Sequence, residues 1–302
     1  MDKDAYNGAL KQAIPRRIRE AKTVTAATVP KYPEQTQREY KRVSDAYMKL
    51  VQETFKEYAP RIKAAIRNEQ ESSKRNDSLF DLQRTIADTF QEMRERLQER
   101  IDAFDLLAHL RRVGENGKRL STKQWKRLVK RTLGVDLLDD YYSGAFFSTE
   151  LEQWVNDGVS LIKTIPQDSL DAMENIVMDG FVDGKSLTDI QRDIQAQYGI
   201  DKRHAAFIAR DQTAKLNAAI TERQQKDAGV RRYKWSTSGD ERVRSDHKKL
   251  DGRVFSYDDP PVVDSRTGRR CNPGQDYSCR CVAIPVFDID ELNLPLGRGD
   301  ES

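Results

Sequence analysis

The sequence predicts a mainly α protein with a small α+β module near its C-terminus: a long helical arm or hairpin, then a helical unit, then a short-stranded, loop-rich domain. Three observations predict it. Apolar residues recur at three- and four-residue intervals over most of residues 34–228, the period of one helix face. From residue 230 that period gives way to alternation and turn dipeptides. The chain is also polar, with 33% charged and 37% hydrophobic residues and a mean hydropathy of −0.80. Such a composition suits long exposed helices better than one compact globule.

The 302 residues accommodate two domains, or one domain plus an arm. A net charge of only +3 speaks against a protein that coats nucleic acid along its whole surface. Met1–Asp4 lacks the apolar region of a signal peptide, and no run approaches 18 apolar residues. The chain therefore reads as soluble and made in a cytoplasm, where thiols stay reduced.

Residues 1–33 are loosely patterned, with a short helix near Ala5–Ala13 and a connector rich in proline. The extended helical arm occupies 34–132. Its first helix carries Tyr40, Val43, Tyr47, Leu50, Phe55, Tyr58, Ile62 and Ile66 on one face, and Pro60 should kink or break it. Arg67–Ser78 reads as a polar hinge. In the second helix Leu79, Leu82, Ile86, Phe90, Met93, Leu97, Ile101 and Phe104 follow an eleven-residue repeat, a seam that runs nearly straight. A hairpin with the preceding helix explains that seam better than self-association, because the partner lies adjacent in sequence. Gly114 and Gly117 read as its end.

Residues 111–131 carry nine Lys or Arg against one Glu. Trp125, Leu128 and Val129 should face inward from a helix capped by Ser121 or Thr122. Lys118, Arg119, Lys123, Lys126, Arg127, Lys130 and Arg131 are candidates for contact with nucleic acid or an acidic partner. A solvated helix face is the plainer alternative.

The helical unit spans 133–228. One helix runs from Leu151 to Ile162, and Pro166 starts the next, which Gly184 breaks. Ser186 caps Leu187–Tyr198, with Asp189 at the capping-box position. Gly199 should stop that helix and Asp201 cap a last one. Strands follow at Val230–Trp235, Arg253–Phe255 and Val282–Ile284 in a module covering 229–287, with a tight turn at Asp251-Gly252. An acidic, flexible tail closes the chain at 288–302.

All three cysteines fall within eleven residues, downstream of one of only three histidines. Zinc prefers thiolate and imidazole in four-coordinate structural sites. His247, Cys271, Cys279 and Cys281 supply four such ligands for one structural zinc. The spacing matches no known finger, and small packing residues or a histidine bonded to nearby acids are the plainer accounts of the cluster. Asp240, Asp246, Asp251 and His247 could instead hold a hard cation for phosphodiester chemistry. A Cys281–His247 nucleophile pair lacks a positioned third group.

The same segment resembles phage head-morphogenesis proteins of the Mu F-like type. The resemblance rests on Ile208-Ala209-Arg210, Gly229-Val230 with Tyr233 and Trp235, and Asp240, Arg242 and Arg244 leading to His247. It continues through Asp251-Gly252 and Cys279-Arg280-Cys281. It is strong over about 205–287 and weaker back to about 133. Some relatives carry an extra cysteine pair or a histidine before Cys-Arg-Cys, where this chain has Cys271 and Gln275-Asp276. The resemblance implies a minor head (capsid) protein of a tailed phage or prophage. Such a protein acts at the portal vertex in head morphogenesis and DNA packaging or delivery. It implies a portal protein as partner, with scaffold or major capsid protein and packaged DNA as further contacts, and no membrane. It places the protein in the virion, and in the host cytoplasm during assembly. No catalytic constellation is convincing. A metal-dependent nuclease or other hydrolase using Asp240, His247 and Asp251 is the rival class.

Overall fold

A computed structural model describes residue 10 and residues 12–72 and 78–296. Most of the helix expected near Ala5–Ala13, the middle of the hinge at 73–77 and the tail beyond 296 lie outside the described residues. Short α1 (Arg16–Glu20) and β1 (Thr23–Thr25) precede the long helices α2 (Glu34–Ser72), α3 (Ser78–Phe104) and α4 (Leu106–Leu133). A 3-10 turn at Gly144–Phe147 leads into α5 (Ser148–Ile162), α6 (Ile165–Val182) and α7 (Leu187–Asp227). Then come β2 (Arg232–Ser236), α8 (Ser245–Leu250), β3 (Val254–Ser256), β4 (Val262–Asp264), β5 (Arg269–Arg270) and β6 (Val282–Asp288). Among the described residues no helix is long and apolar enough to cross a membrane.

Two compact units make up the chain. The first comprises Arg38–Leu110 and Val155–Ala209. Its α2 and α3 form the expected hairpin, pinned by ion pairs from Arg61 to Glu92 and from Arg100 to Glu57, with Arg100 also donating to Thr54. Leu82, Ile86, Phe90, Met93 and Leu97 are all buried, so the eleven-residue seam is used up inside the unit. Arg94 on α3 ties α6 through Asp171 and Glu174. Pro60 does not break α2. A mid-helix proline forfeits one backbone hydrogen bond, but buried Val51, Ile62 and Ile66 hold both halves of α2 in the core.

The glycines depart from the sequence reading in an instructive way. Gly114 and Gly117 do not end a helix; they lie inside α4. The break falls at Asp105, whose φ is 49° and whose Oδ1 accepts the Ala108 N–H to start α4. Gly114 and Gly117 are points of close approach. A Cβ on Gly114 would sit 2.4 Å from Leu151 Cδ1, and one on Gly117 would sit 3.0 Å from Thr36 Cγ2. Gly199 likewise interrupts nothing, because α7 is continuous through it and Asp201 caps no new helix. The Ser186 cap does form: its Oγ accepts the Asp189 N–H at 3.1 Å. Gly184, with φ of 69°, ends the stretch after α6.

The second unit comprises Met1–Gln37, Arg111–Trp154 and Arg210–Ser302. It holds an antiparallel sheet in the order β1-β6-β2-β3. Central β6 is buried on both faces from Val282 to Phe287, and it opposes Trp235 with Ala283 and Tyr233 with Pro285. The edge strand β1 comes from near the N-terminus and pairs Thr23–Thr25 with Val286–Asp288. Three residues of alternation are too few to announce a strand. A separate two-stranded sheet joins β4 and β5. Trp125 of α4 stacks on Phe287 at 6.0 Å, and Gln225 of α7 donates to the Ala283 carbonyl while accepting from the Tyr257 hydroxyl. Trp125, Leu128 and Val129 all face inward, as expected.

A candidate metal centre in the C-terminal module

The alternation of β2 puts Tyr233 and Trp235 on its buried face. They join Leu250, Tyr257, Val263, Ala283, Cys279 and Cys281 in one core. Helix α8 turns His247 into the same core, where the Trp235 ring meets the imidazole edge-on at 5.6 Å. The approach to the cysteines is shaped by a left-handed residue, Ser278, with φ of 47°. Its N–H donates to Asp211 Oδ1 at 2.7 Å, and the Cys279 N–H donates to the Asp276 carbonyl at 3.1 Å. Residues two apart on extended backbone point to one side, so the two thiols of Cys279-Arg280-Cys281 converge.

Both sulfurs lie 3.5 Å from His247 Nδ1. The other ring nitrogen, Nε2, lies 3.1 Å from Asp276 Oδ2. Asp276 is itself held by Arg244 at 3.0 Å and Arg269 at 2.9 Å. His247, Asp276 and both cysteines are no more than 5% exposed. An N–H on Nε2 aimed at the carboxylate leaves the Nδ1 lone pair facing the sulfurs, the tautomer of a metal-bound histidine.

In the metal-free cluster the electrostatics instead favour a second proton on the imidazole beside a thiolate. The neighbouring Cys281 thiol, together with His247, holds Cys279 well below the usual thiol range. The same contact with Cys279 and burial push Cys281 far up, so the pair carries one negative charge. Burial pulls His247 down, but Cys279 and Asp276 outweigh it and its pKa is raised. Below the ordinary imidazole pKa that shift stabilises the metal-free fold, and the contribution fades as pH rises through the raised value. The lowered Cys279 adds stability that is complete above the ordinary thiol pKa and is lost as pH falls through its own.

His247, Cys279 and Cys281 offer ligand atoms all within 4.8 Å of one another, and among the described residues they are the group with that property. The geometry fits zinc. Bonds of about 2.3 Å to sulfur and about 2.0–2.1 Å to nitrogen at tetrahedral angles separate N from S by about 3.5 Å. Both N–S separations here are 3.5 Å. Cys271 stands apart from the other three. It packs partly buried against the same core, and burial pushes its thiol up to about 12.

The remaining sequence candidates have other employment. Asp240 pairs with Arg280 and accepts the Arg242 N–H. Asp251 accepts the N–H and hydroxyl of Thr237. Asp240, His247 and Asp251 thus form no ligand group among the described residues. Gly252 takes φ of 76° in the turn after α8, and its N–H donates to the Trp235 carbonyl. Arg244 also donates to the Tyr277 carbonyl, and the Arg210 carbonyl accepts from the Tyr32 hydroxyl. Two residues that organise the site, Asp276 and Asp211, stand out in the sequence only as departures from the relatives' pattern, not as site residues. The seven basic-stretch candidates divide. Lys118, Lys126 and Lys130 are engaged with Glu115, Asp139 and Asp136, whereas Lys123, Arg127 and Arg131 face a cleft and Arg119 lines another.

Fold and site define a mainly helical protein whose small β module is organised around a buried histidine–cysteine cluster. Residues 171–284 match the family described as Phage Mu protein F like protein. A protein of Haemophilus influenzae described only as uncharacterized is 36% identical over 163 residues, covering 54% of this chain and 35% of its own length. An NAD(+)--arginine ADP-ribosyltransferase EFV of Enterococcus faecalis is 25% identical over 136 residues, covering 42% of this chain and 28% of its own length. The chain thus spans about a third of the length of these curated relatives. No solved structure matches.

Proposed function

We propose that this protein is a minor head protein of a tailed phage or prophage that acts at the portal vertex in head morphogenesis and DNA packaging or delivery. The observation that carries the reading is the family match over 171–284, which contains the whole His247–Cys279–Cys281 cluster. The partner is a portal protein, with scaffold or major capsid protein as further neighbours, and the protein resides in the virion after assembly in the host cytoplasm. Coexpression with the cognate portal followed by size exclusion tests it. Co-migration across a range of salt is the expected result, and separate elution at every salt contradicts it.

The module's role in this reading is structural. One zinc sits on His247, Cys279 and Cys281, and Asp276 orients the imidazole. Three protein ligands leave the fourth position of a tetrahedral zinc to water, but burial of all three favours a staple over a reaction centre, since substrate has no approach to them. The transferase activity named for the Enterococcus relative is not carried over, because the likeness spans 28% of that protein. Carboxylates that orient metal-bound histidines typically contribute ten- to a hundredfold in affinity. Asp276→Asn should therefore weaken zinc binding by about that factor in competition with a chelator. Unchanged affinity would remove Asp276 from the site.

A further inference from the structure

The second unit also contains a cleft of about 920 Å³ between one face of α4, the segment joining β1 to α2, and the loop after β2. Its charge is one-sided. Lys31, Lys123, Arg127, Arg131 and Arg280 line it against a single carboxylate, Glu34. Arg280 is shared with Asp240, but the other four cations form no ion pair among the described residues. Lys123, Arg127 and Arg131 follow each other at four-residue intervals on α4, each about 6 Å farther along the axis. They make one ridge that winds slowly around the helix, and two are guanidiniums, which grip phosphate oxygens through paired N–H groups.

We propose that this cleft binds a single nucleic acid strand, with the α4 row and Lys31 contacting successive phosphates. The volume lies within the range of ordinary ligand clefts, about 300–1,000 Å³. It admits a short length of strand. Val29, Pro30 and Pro33 give the wall beside the cations an apolar surface. Bases need such a surface and an acidic peptide does not. The inference deepens the DNA-handling part of the proposed function, yet the portal experiment can succeed or fail without it. It also revises which cations of 111–131 matter, because those already paired with acids have less to offer an incoming phosphate.

The test is fluorescence anisotropy on the full chain with labelled twelve-residue oligodeoxythymidine and oligouridine, a DNA duplex of equal length, and an oligoglutamate peptide. Four uncommitted cations predict a log–log salt slope of about −3 for the single strand. Arg127→Gln with Arg131→Gln should weaken binding at least about tenfold and flatten the slope by about 1.4. Arg111→Gln with Arg112→Gln removes equal charge from the other end of the basic stretch and should change affinity less than about threefold. Strand binding with that contrast between variants supports the cleft. Equal losses from both double variants would reduce it to general charge attraction. Preference for the duplex or for oligoglutamate, or no binding at low salt, would overturn it.

Discussion

Gly229→Ala is expected to destabilise the second unit by about 3 kcal/mol or more. Gly229 closes α7 with φ of 79°, where its N–H donates to the Lys226 carbonyl and the Val230 N–H to that of Gln225. A left-handed residue with a side chain costs about 1–2 kcal/mol by itself. Here the added Cβ would also sit 2.0 Å from the Glu291 carbonyl oxygen and 3.2 Å from the Asn293 nitrogen. That strand of backbone cannot retreat cheaply, since the Asn293 N–H donates to the Ala228 carbonyl and its side chain to that of Asp227. Overpacking of this kind adds about 1–3 kcal/mol. Gly239 supplies the control: its φ is 73° but nothing lies within 4 Å of its Cβ position, so Gly239→Ala should cost only about 1–2 kcal/mol. Trp125, Trp154 and Trp235, the chain's three tryptophans, all belong to this unit, so denaturant titration by tryptophan fluorescence reads it selectively. Equal midpoints for the two variants would contradict the close approach.

Cys279→Ser is expected to abolish zinc binding and make the 229–287 module protease-sensitive, while the α2–α3 hairpin stays helical. Serine preserves the size of the side chain but not the thiolate that zinc requires. Structural zinc contributes roughly 10–16 kcal/mol of apparent binding free energy in small metal-folded peptides, as much as the whole stability of an ordinary domain. This module has a partial core of its own in Tyr233, Trp235 and Tyr257, so loosening rather than complete unfolding is the outcome. Cys271→Ser should leave zinc in place, because Cys271 lies outside the ligand group. Limited proteolysis with mass spectrometry locates the effect. A Cys279→Ser module as resistant as the parent would count against a metal staple.

Those outcomes separate what sequence can and cannot reveal in this chain. The α3 seam was legible because eight apolar positions share one period, and five of them are buried as that period requires. The Mu F-like segment was legible through fixed spacings between unusual residues. Glycine proved ambiguous: it reads as a helix breaker, but Gly114 and Gly117 serve close packing, a property of residues that arrive from elsewhere in the chain. For the same reason β1 was invisible, since its identity as a strand depends on β6, more than 250 residues later. Within the site, the clustering of scarce cysteine and histidine pointed to His247, Cys279 and Cys281, which the structure brings together. It could not separate Cys271, whose place depends on the loop from 271 to 278. The roles of Asp276 and Asp211 were hidden because acids are common, and burial is what distinguishes these two.

The central proposal is that His247, Cys279 and Cys281 hold a metal. Elemental analysis of the full chain, purified without an affinity-metal step, tests that directly. The account predicts about one zinc per chain, retained in Cys271→Ser and lost in His247→Ala and Cys279→Ser. Zinc well below one per chain, with the 229–287 module still resistant to protease, would contradict it and leave packing and the Asp276 hydrogen-bond network as what holds the site together.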